Sequence, residues 1–289
     1  MTSRVDGPLK VTGKARYGLD RNFPGMVYGY VVTSTIANGE IEAMDTTAAK
    51  SSPGVLGVYS PFDPLVMSRP NTIFGETWVP LQDREVDYYG QAIGFVVAET
   101  FEQARDAAML IDVTYQQRPA KTSLHDGLAT AEDAPPARDG GPSTLHILAD
   151  GVESIEDAIA ASPVVVEATY STATQNHAPM EPHSAVALWD GAELTIYSGN
   201  QGSNFQRDEI ADSLGLDHDA VRALNPFVGG AFGGKGRTSA PAFLAAAAAK
   251  ALGRPVKAAR ICRMFRCIGR PRATLSGRRR FRVEVGHRR

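Results

Sequence analysis

Residues 228–236 read Val-Gly-Gly-Ala-Phe-Gly-Gly-Lys-Gly, four glycines packed around a single phenylalanine. The run lies between a strand-like stretch, 221–228, and a strongly helical one, 240–252. Glycine gives up the most chain entropy on folding and is unfavourable inside any regular element. Its repetition here points to a backbone that turns through positive φ or lies directly against something. A loop of free N–H groups leading into a helix N-terminus suits an anionic ligand or cofactor.

Two familiar phosphate loops nearly fit. Gly229, Gly234 and Lys235 have P-loop spacing, but Gly236 stands where a hydroxyl should reach magnesium, and Phe232 would crowd a phosphate. The glycine spacing also misses the dinucleotide fingerprint. A purely structural turn between strand and helix remains open at this point.

The rest of the chain alternates short strands and short helices, an α+β or α/β pattern. Strands are expected at 26–33, 39–44, 55–59, 92–98 and 111–115, with helices over 46–51 and 101–111. Residues 119–150 carry Pro119, Pro135-Pro136 and Gly140-Gly141-Pro142, which reads as a linker or long surface loop. Beyond it a helix is expected over 153–162, then strands at 164–170, 185–189 and 193–198, and a helix over 204–214.

With 289 residues there is room for two domains with real cores. No apolar stretch approaches bilayer length, and the polar start lacks a signal core, so a cytoplasmic location is expected. The formal net charge of −2 hides an asymmetry. Residues 254–289 hold 13 of the 30 Lys and Arg and one of the 32 acids, leaving about −14 on the body and +12 on the tail. Both cysteines, Cys262 and Cys267, lie in that tail. Two thiols do not make a zinc or iron–sulfur ligand set, and they read as reduced cytosolic cysteines.

A second polar cluster is Gln175-Asn176-His177-Ala178-Pro179-Met180-Glu181-Pro182-His183. Its histidines and glutamate lack helical ligand spacing, and the two prolines exclude a helix that could present them, so no metal is assigned. The prolines favour a rigid turn whose polar side chains brace a pocket, or simply a buried, hydrogen-bonded histidine. A third piece, Ser198-Gly199-Asn200-Gln201-Gly202, closes a strand.

His177–His183, then Asn200-Gln201, then Gly229–Lys235 occur in an order that resembles the molybdenum-binding large subunit of the xanthine dehydrogenase/aldehyde oxidase family. Asp6–Gly13, Pro53-Gly-Val-Leu56, Tyr89-Gly-Gln91 and the 98–108 helix resemble that family's a/b hammerhead domain. Val32–Ala37 and the Lys-Gly end of the loop are most like the bacterial aldehyde dehydrogenase subgroup. The resemblance covers about residue 5 to Lys257. It implies an α+β architecture: hammerhead at 1–118, linker at 119–150, and the first part of a molybdopterin-binding domain at 151–257.

It also implies a pocket for molybdopterin with molybdenum, in the cytosine dinucleotide form. Gln201 would lie beside an oxo ligand of the metal. Gly230, Ala231, Phe232, Gly233 and Gly234 would form the loop against the pterin and the metal's ligands. His177, Glu181 and His183 would support the pocket. The implied chemistry is oxidation of aldehydes or N-heterocycles with water as oxygen source, the electrons leaving through iron–sulfur and FAD partner subunits. Gly236 stands where purine-hydroxylating members carry a glutamate, which argues against purines. The family continues for several hundred residues beyond this point, including its general-base glutamate. No residue here matches that base, so none is assigned, and a chain inactive by itself is implied.

After Lys257 the likeness fades into arginine-rich sequence, with Met264-Phe265 as a remnant. A reading-frame shift near codon 258 accounts for the abrupt change of charge. The competing view is a non-catalytic binding protein with a basic nucleic-acid-binding tail, for which only Phe265 and Phe281 supply stacking surfaces. Nucleic acid is therefore not expected as a partner, nor is a membrane.

Overall fold

A computed structural model of the chain describes residues 4–72, 75–76, 78–123, 126–127, 130–131, 154–170, 176–260 and 277–282. Its strands are β1 (Val27–Thr33), β2 (Gly39–Asp45), β3 (Val55–Tyr59), β4 (Asn71–Thr72), β5 (Gly75–Glu76), β6 (Glu85–Val86) and β7 (Ala92–Ala98) in the first part. They continue as β8 (Asp112–Gln117), β9 (Val165–Tyr170), β10 (Ser184–Asp190), β11 (Glu193–Ser198), β12 (Val221–Leu224), β13 (Val256–Ala259) and β14 (Gly277–Arg282). The helices are α1 (Gly7–Val11), α2 (Thr47–Lys50), α3 (Phe101–Ala108), α4 (Ile155–Ala160), α5 (Ser203–Leu214) and α6 (Ala240–Leu252).

A seven-stranded mixed sheet runs in the order β12-β11-β10-β13-β1-β7-β3. β7, Ala-Ile-Gly-Phe-Val-Val-Ala, is buried at every position, as expected of an internal strand covered on both faces. The alanine-rich α6 is buried from Pro241 to Ala249. A helix apolar on all sides belongs in an interior, and small side chains let it lie close to β10 and β13. Pro241 falls in its first turn, where no backbone donor is missed, and Gly253 ends it at φ +61°. The indole N–H of Trp189 on β10 donates to the Ala246 carbonyl at 3.0 Å.

Three short strands, β6-β2-β8, make a second antiparallel sheet. Ile41 and Val86 of this sheet form a small core with Ile93 of β7.

β13 is the element that organises the large sheet. Its Val256 pairs in parallel with Val27 of β1 and antiparallel with Ala187 of β10. The flanking basic residues are tied to the first part of the chain. Arg254 grips both Glu99 carboxylate oxygens at 2.7 and 2.8 Å, which holds that carboxyl below its ordinary range, and its Nε donates to the Gly25 carbonyl. The Lys257 ammonium donates to the Leu19 carbonyl and to Asn22 Oδ1, and Arg260 to the Gly90 carbonyl at 2.6 Å.

Through this pairing, segments from both the 1–118 and the 151–257 blocks share one sheet. Residues 1–120 and 177–270 form one compact unit, because β13 is inserted between β1 and β10. Residues 121–176 and 271–289 form the other, in which β9 pairs antiparallel with β14, Tyr170 opposite Gly277. Strand order also carries past Lys257, through Ala259, and the Arg260 N–H donates to the His183 carbonyl. Most of 119–150, Gln175, both cysteines and Met264-Phe265 lie outside the described residues. No helix among the described residues is long and apolar enough to cross a membrane.

Two local expectations change. The turn-rich 6–13 stretch holds a short helix with a proline in its first turn. The strand expected over 221–228 stops at Leu224, since Pro226 has no N–H to continue the ladder and Asn225 turns its amide to the Ser203 hydroxyl.

Gly29 on β1 supplies a test of this core. A Cβ there would lie 2.1 Å from Cζ of the fully buried Phe95. Gly29→Ala is expected to cost about 1–3 kcal/mol by overpacking. Adding Phe95→Leu should recover part of that loss in a double-mutant cycle read by urea unfolding. Simple additivity of the two changes would place the loss elsewhere.

Candidate functional site

The three singled-out motifs meet in the larger unit, and Glu181 is where they meet. It precedes β10, and its N–H donates to the Gly229 carbonyl at 3.0 Å. Its Oε2 accepts two bonds in return, from the Gly229 N–H at 2.8 Å and the Lys235 ammonium at 2.7 Å. The Lys235 side chain is fully buried and that of Glu181 is 8% exposed. The lysine carbonyl accepts from the Gln201 N–H at 2.9 Å, which brings in the third motif. Beside it, Asn200 is buried, with its amide on the Arg237 carbonyl and its Oδ1 accepting from the Gly202 N–H.

Close packing explains three glycines. A Cβ on Gly199 would overlap the Glu181 carboxylate at 2.2 Å, and one on Gly229 would overlap Glu181 Cβ at 2.5 Å. One on Gly234 would press the His177 ring at 2.9 Å. Conformation explains two more: Gly230 and Gly233 both have φ +93°. Between them Phe232 adopts φ +51°, and Ala178 in the facing segment φ +36°. Such values are strained for residues with a Cβ, and they persist only where surroundings over-determine them.

The result is a raised arc. Phe232 is 68% exposed, Ala231 is tucked in, and the Gly234 N–H closes back on the Ala231 carbonyl at 2.8 Å. Among the described residues, the N–H groups of Gly230, Ala231, Phe232 and Gly233 meet no acceptor. Gln201 has its backbone fixed and its side chain exposed. Free amides on an arc shaped by positive φ form a cradle for an anionic group. The residues present therefore fit an anionic cofactor.

They do not fit a nucleotide phosphate held by lysine, because Lys235 points inward and its charge is taken by Glu181. The helix N-terminus expected to serve the ligand is also otherwise engaged. The buried Glu209 of α5 accepts from the Thr238 N–H at 3.0 Å, just ahead of α6, and puts its own negative charge at that end. Glu209 belongs to no singled-out motif, and although Glu181 and Lys235 each lie in one, only the structure reveals that they pair. Among the described residues no group of three or more His, Cys, Asp or Glu side chains could hold a metal ion.

The two histidines serve the frame. His183 is largely buried, and desolvation, helped by the nearby positive charges of Lys235 and Arg260 and by His177, lowers its pKa to about 4. It is neutral at physiological pH. His177 stacks under Gly234, with a buried Nε2 that has no partner among the described residues.

Two family models match the sequence in tandem. Residues 12–119 match the a/b hammerhead domain of aldehyde oxidase and xanthine dehydrogenase, and residues 142–264 match the molybdopterin cofactor-binding domain. The chain belongs to the aldehyde oxidase and xanthine dehydrogenase family. Its hammerhead and molybdopterin-binding segments are α+β. It is 40% identical over 256 residues to the aldehyde oxidoreductase molybdenum-binding subunit PaoC of Escherichia coli K12, covering 88% of this chain and 33% of that protein.

The solved CO dehydrogenase of Oligotropha carboxidovorans superposes with a TM-score of 0.76 at 26% identity, over 90% of this chain and 34% of that one. The aldehyde oxidoreductase of Desulfovibrio gigas gives 0.70 at 29% identity, over 89% and 29%. The chain thus spans about a third of the length of these three proteins. The domain match runs to residue 264, beyond the point where likeness was expected to end.

His183 makes the site's frame pH-sensitive. Its folded pKa lies below the ordinary 6.5, so the unfolded chain binds the extra proton between about pH 6.5 and 4. Stability from this group is complete above pH 6.5 and is lost as pH falls toward 4, at about 1.4 kcal/mol per pH unit. In urea titrations His183→Asn should show a shallower fall than wild type across that window. Parallel curves would remove His183 from the account.

Proposed function

We propose that this chain forms the hammerhead domain and one wall of the cofactor pocket in the large subunit of a molybdenum hydroxylase that oxidises aldehydes. The observation that carries this reading is the arc between Gly229 and Lys235, in which the Gly230–Gly233 amides meet no acceptor among the described residues while both ends are held on Glu181. In it Gly230, Ala231, Phe232, Gly233 and Gly234 would hold molybdopterin with molybdenum, in the cytosine dinucleotide form, with Gln201 beside the metal. When bound, that cofactor supplies a two-electron oxidation in which water provides the oxygen added to the substrate carbon.

The chain's own part is electrostatic and steric. Fixed amide dipoles stabilise anionic ligands without the reorganisation that water would need. The Phe232 ring, held outward by a strained backbone, excludes water from the approach. Gln201 offers a neutral amide whose position is set from below by the Lys235 carbonyl. At Gly236 the space where a Cβ would project is open, so nothing there would grip a purine, which favours aldehydes over purines. No group of this chain is assigned as the catalytic base. Electrons would pass to iron–sulfur and FAD subunits of a heteromeric complex.

The test is to co-express the chain with its molybdenum-cofactor machinery and measure metal by plasma mass spectrometry and the nucleotide released by acid. About one molybdenum and one cytidine monophosphate per chain are expected, both lost from a Gly233→Val variant. Salt-sensitive retention on DNA with no molybdenum would overturn the reading in favour of a basic-tailed binding protein.

A further inference from the structure

The cradle is a loop closed at both ends by one oxygen atom. Glu181 Oε2 accepts from Gly229 at the entry and from Lys235 at the exit, so the backbone between them is pinned on a single buried point. Lys235 also holds Gln201 through its carbonyl. The ammonium is fully buried and its charge is taken by Glu181. A buried ion pair is seldom a good source of net stability, because desolvating two charges offsets most of their attraction. Its value is better sought in what it specifies. Removing either partner leaves the other charge buried and uncompensated, so the loop has one geometry in which both charges are satisfied.

We propose that Glu181 and Lys235 are positioning residues: a buried charge latch that sets the spacing of the Gly230–Gly233 amides and of Gln201, and so fixes the shape in which the cofactor is received. The latch rests on the pocket assignment above only for the identity of what it receives. Pinning of the loop itself is independent of that identity. The neighbouring glycines are part of the device. Gly199 leaves room for the carboxylate, and any Cβ there would push Glu181 off its two donors.

The experiment uses the full 289-residue chain, with hydrogen exchange followed by mass spectrometry and molybdenum content measured on the same samples. Glu181→Gln keeps the shape and removes the charge, Lys235→Met removes its partner, and Gly199→Ala displaces the carboxylate with every charge retained. In each, peptides covering 228–237 are expected to exchange roughly tenfold faster, while those covering 92–98 and 240–252 keep their protection. Molybdenum per chain should fall in step with the exchange. Glu181→Asp, which retains the charge, should restore part of both.

Unchanged loop exchange in Gly199→Ala and Glu181→Gln would overturn the latch. So would an equal rise in loop and core, which marks a merely structural role, even if Lys235→Met fails to fold. Faster loop exchange with undiminished molybdenum would overturn its role toward the cofactor. Faster loop exchange in a chain that binds no molybdenum even as wild type would uphold the latch and overturn the pocket assignment instead.

Discussion

One carboxylate oxygen sets the geometry of this protein's most unusual segment. Glu181 Oε2 is buried, carries charge, and binds two donors six residues apart in the chain. A charge in such a place is tolerable only when paired and hydrogen-bonded. That requirement propagates outward. Lys235 must turn inward, its carbonyl then meets Gln201, and the five residues between the two donors must rise as an arc. Gly199, Gly229 and Gly234 follow because nothing larger fits beside the carboxylate and the His177 ring. The unpartnered amides of Gly230–Gly233 are thus a by-product of how the loop's ends are satisfied.

The framework behind the loop works by ordinary burial. α6 is almost pure alanine, leucine and phenylalanine on every side, so it can only sit inside, and its small residues bring β10 and β13 close. Trp189 and Glu209 then place polar groups along that helix's path, one on the mid-helix Ala246 carbonyl and one ahead of its first turn. A loop with a strained Phe232, facing a strained Ala178, needs such a rigid support, since nothing in the local sequence would hold those angles.

The sequence reveals the elements far better than their assembly. Strands 92–98 and 193–198 and helix 240–252 are readable to the residue, since β-branched or alanine-rich runs have obvious stops: Gly191 before one, Gly253 after another. The glycine loop announces itself by composition. What no pattern announces is pairing between residues far apart. Lys235 in sequence resembles a phosphate-binding lysine, and only its distance to Glu181 shows that it faces the interior. β13 is four residues long, too short to be distinctive, yet it decides which strands share a sheet. Likewise the strand expected to reach Val228 stops at Leu224, since hydrophobicity continues past the point where Pro226 ends the hydrogen bonding.

The place of β13 between β1 and β10 has a consequence during synthesis. β1, β7 and β3 are complete once residue 98 has emerged, but one long side of β1 has no partner until residues 256–259 are made. At roughly 5–20 residues per second, that interval lasts on the order of 10–30 s. Throughout it, a hydrophobic strand edge stands open on the nascent chain, which is a template for wrong pairing. A protein built this way depends on something to shield that edge as it leaves the ribosome, and its yield in the cell should be governed by chaperone supply as much as by final stability.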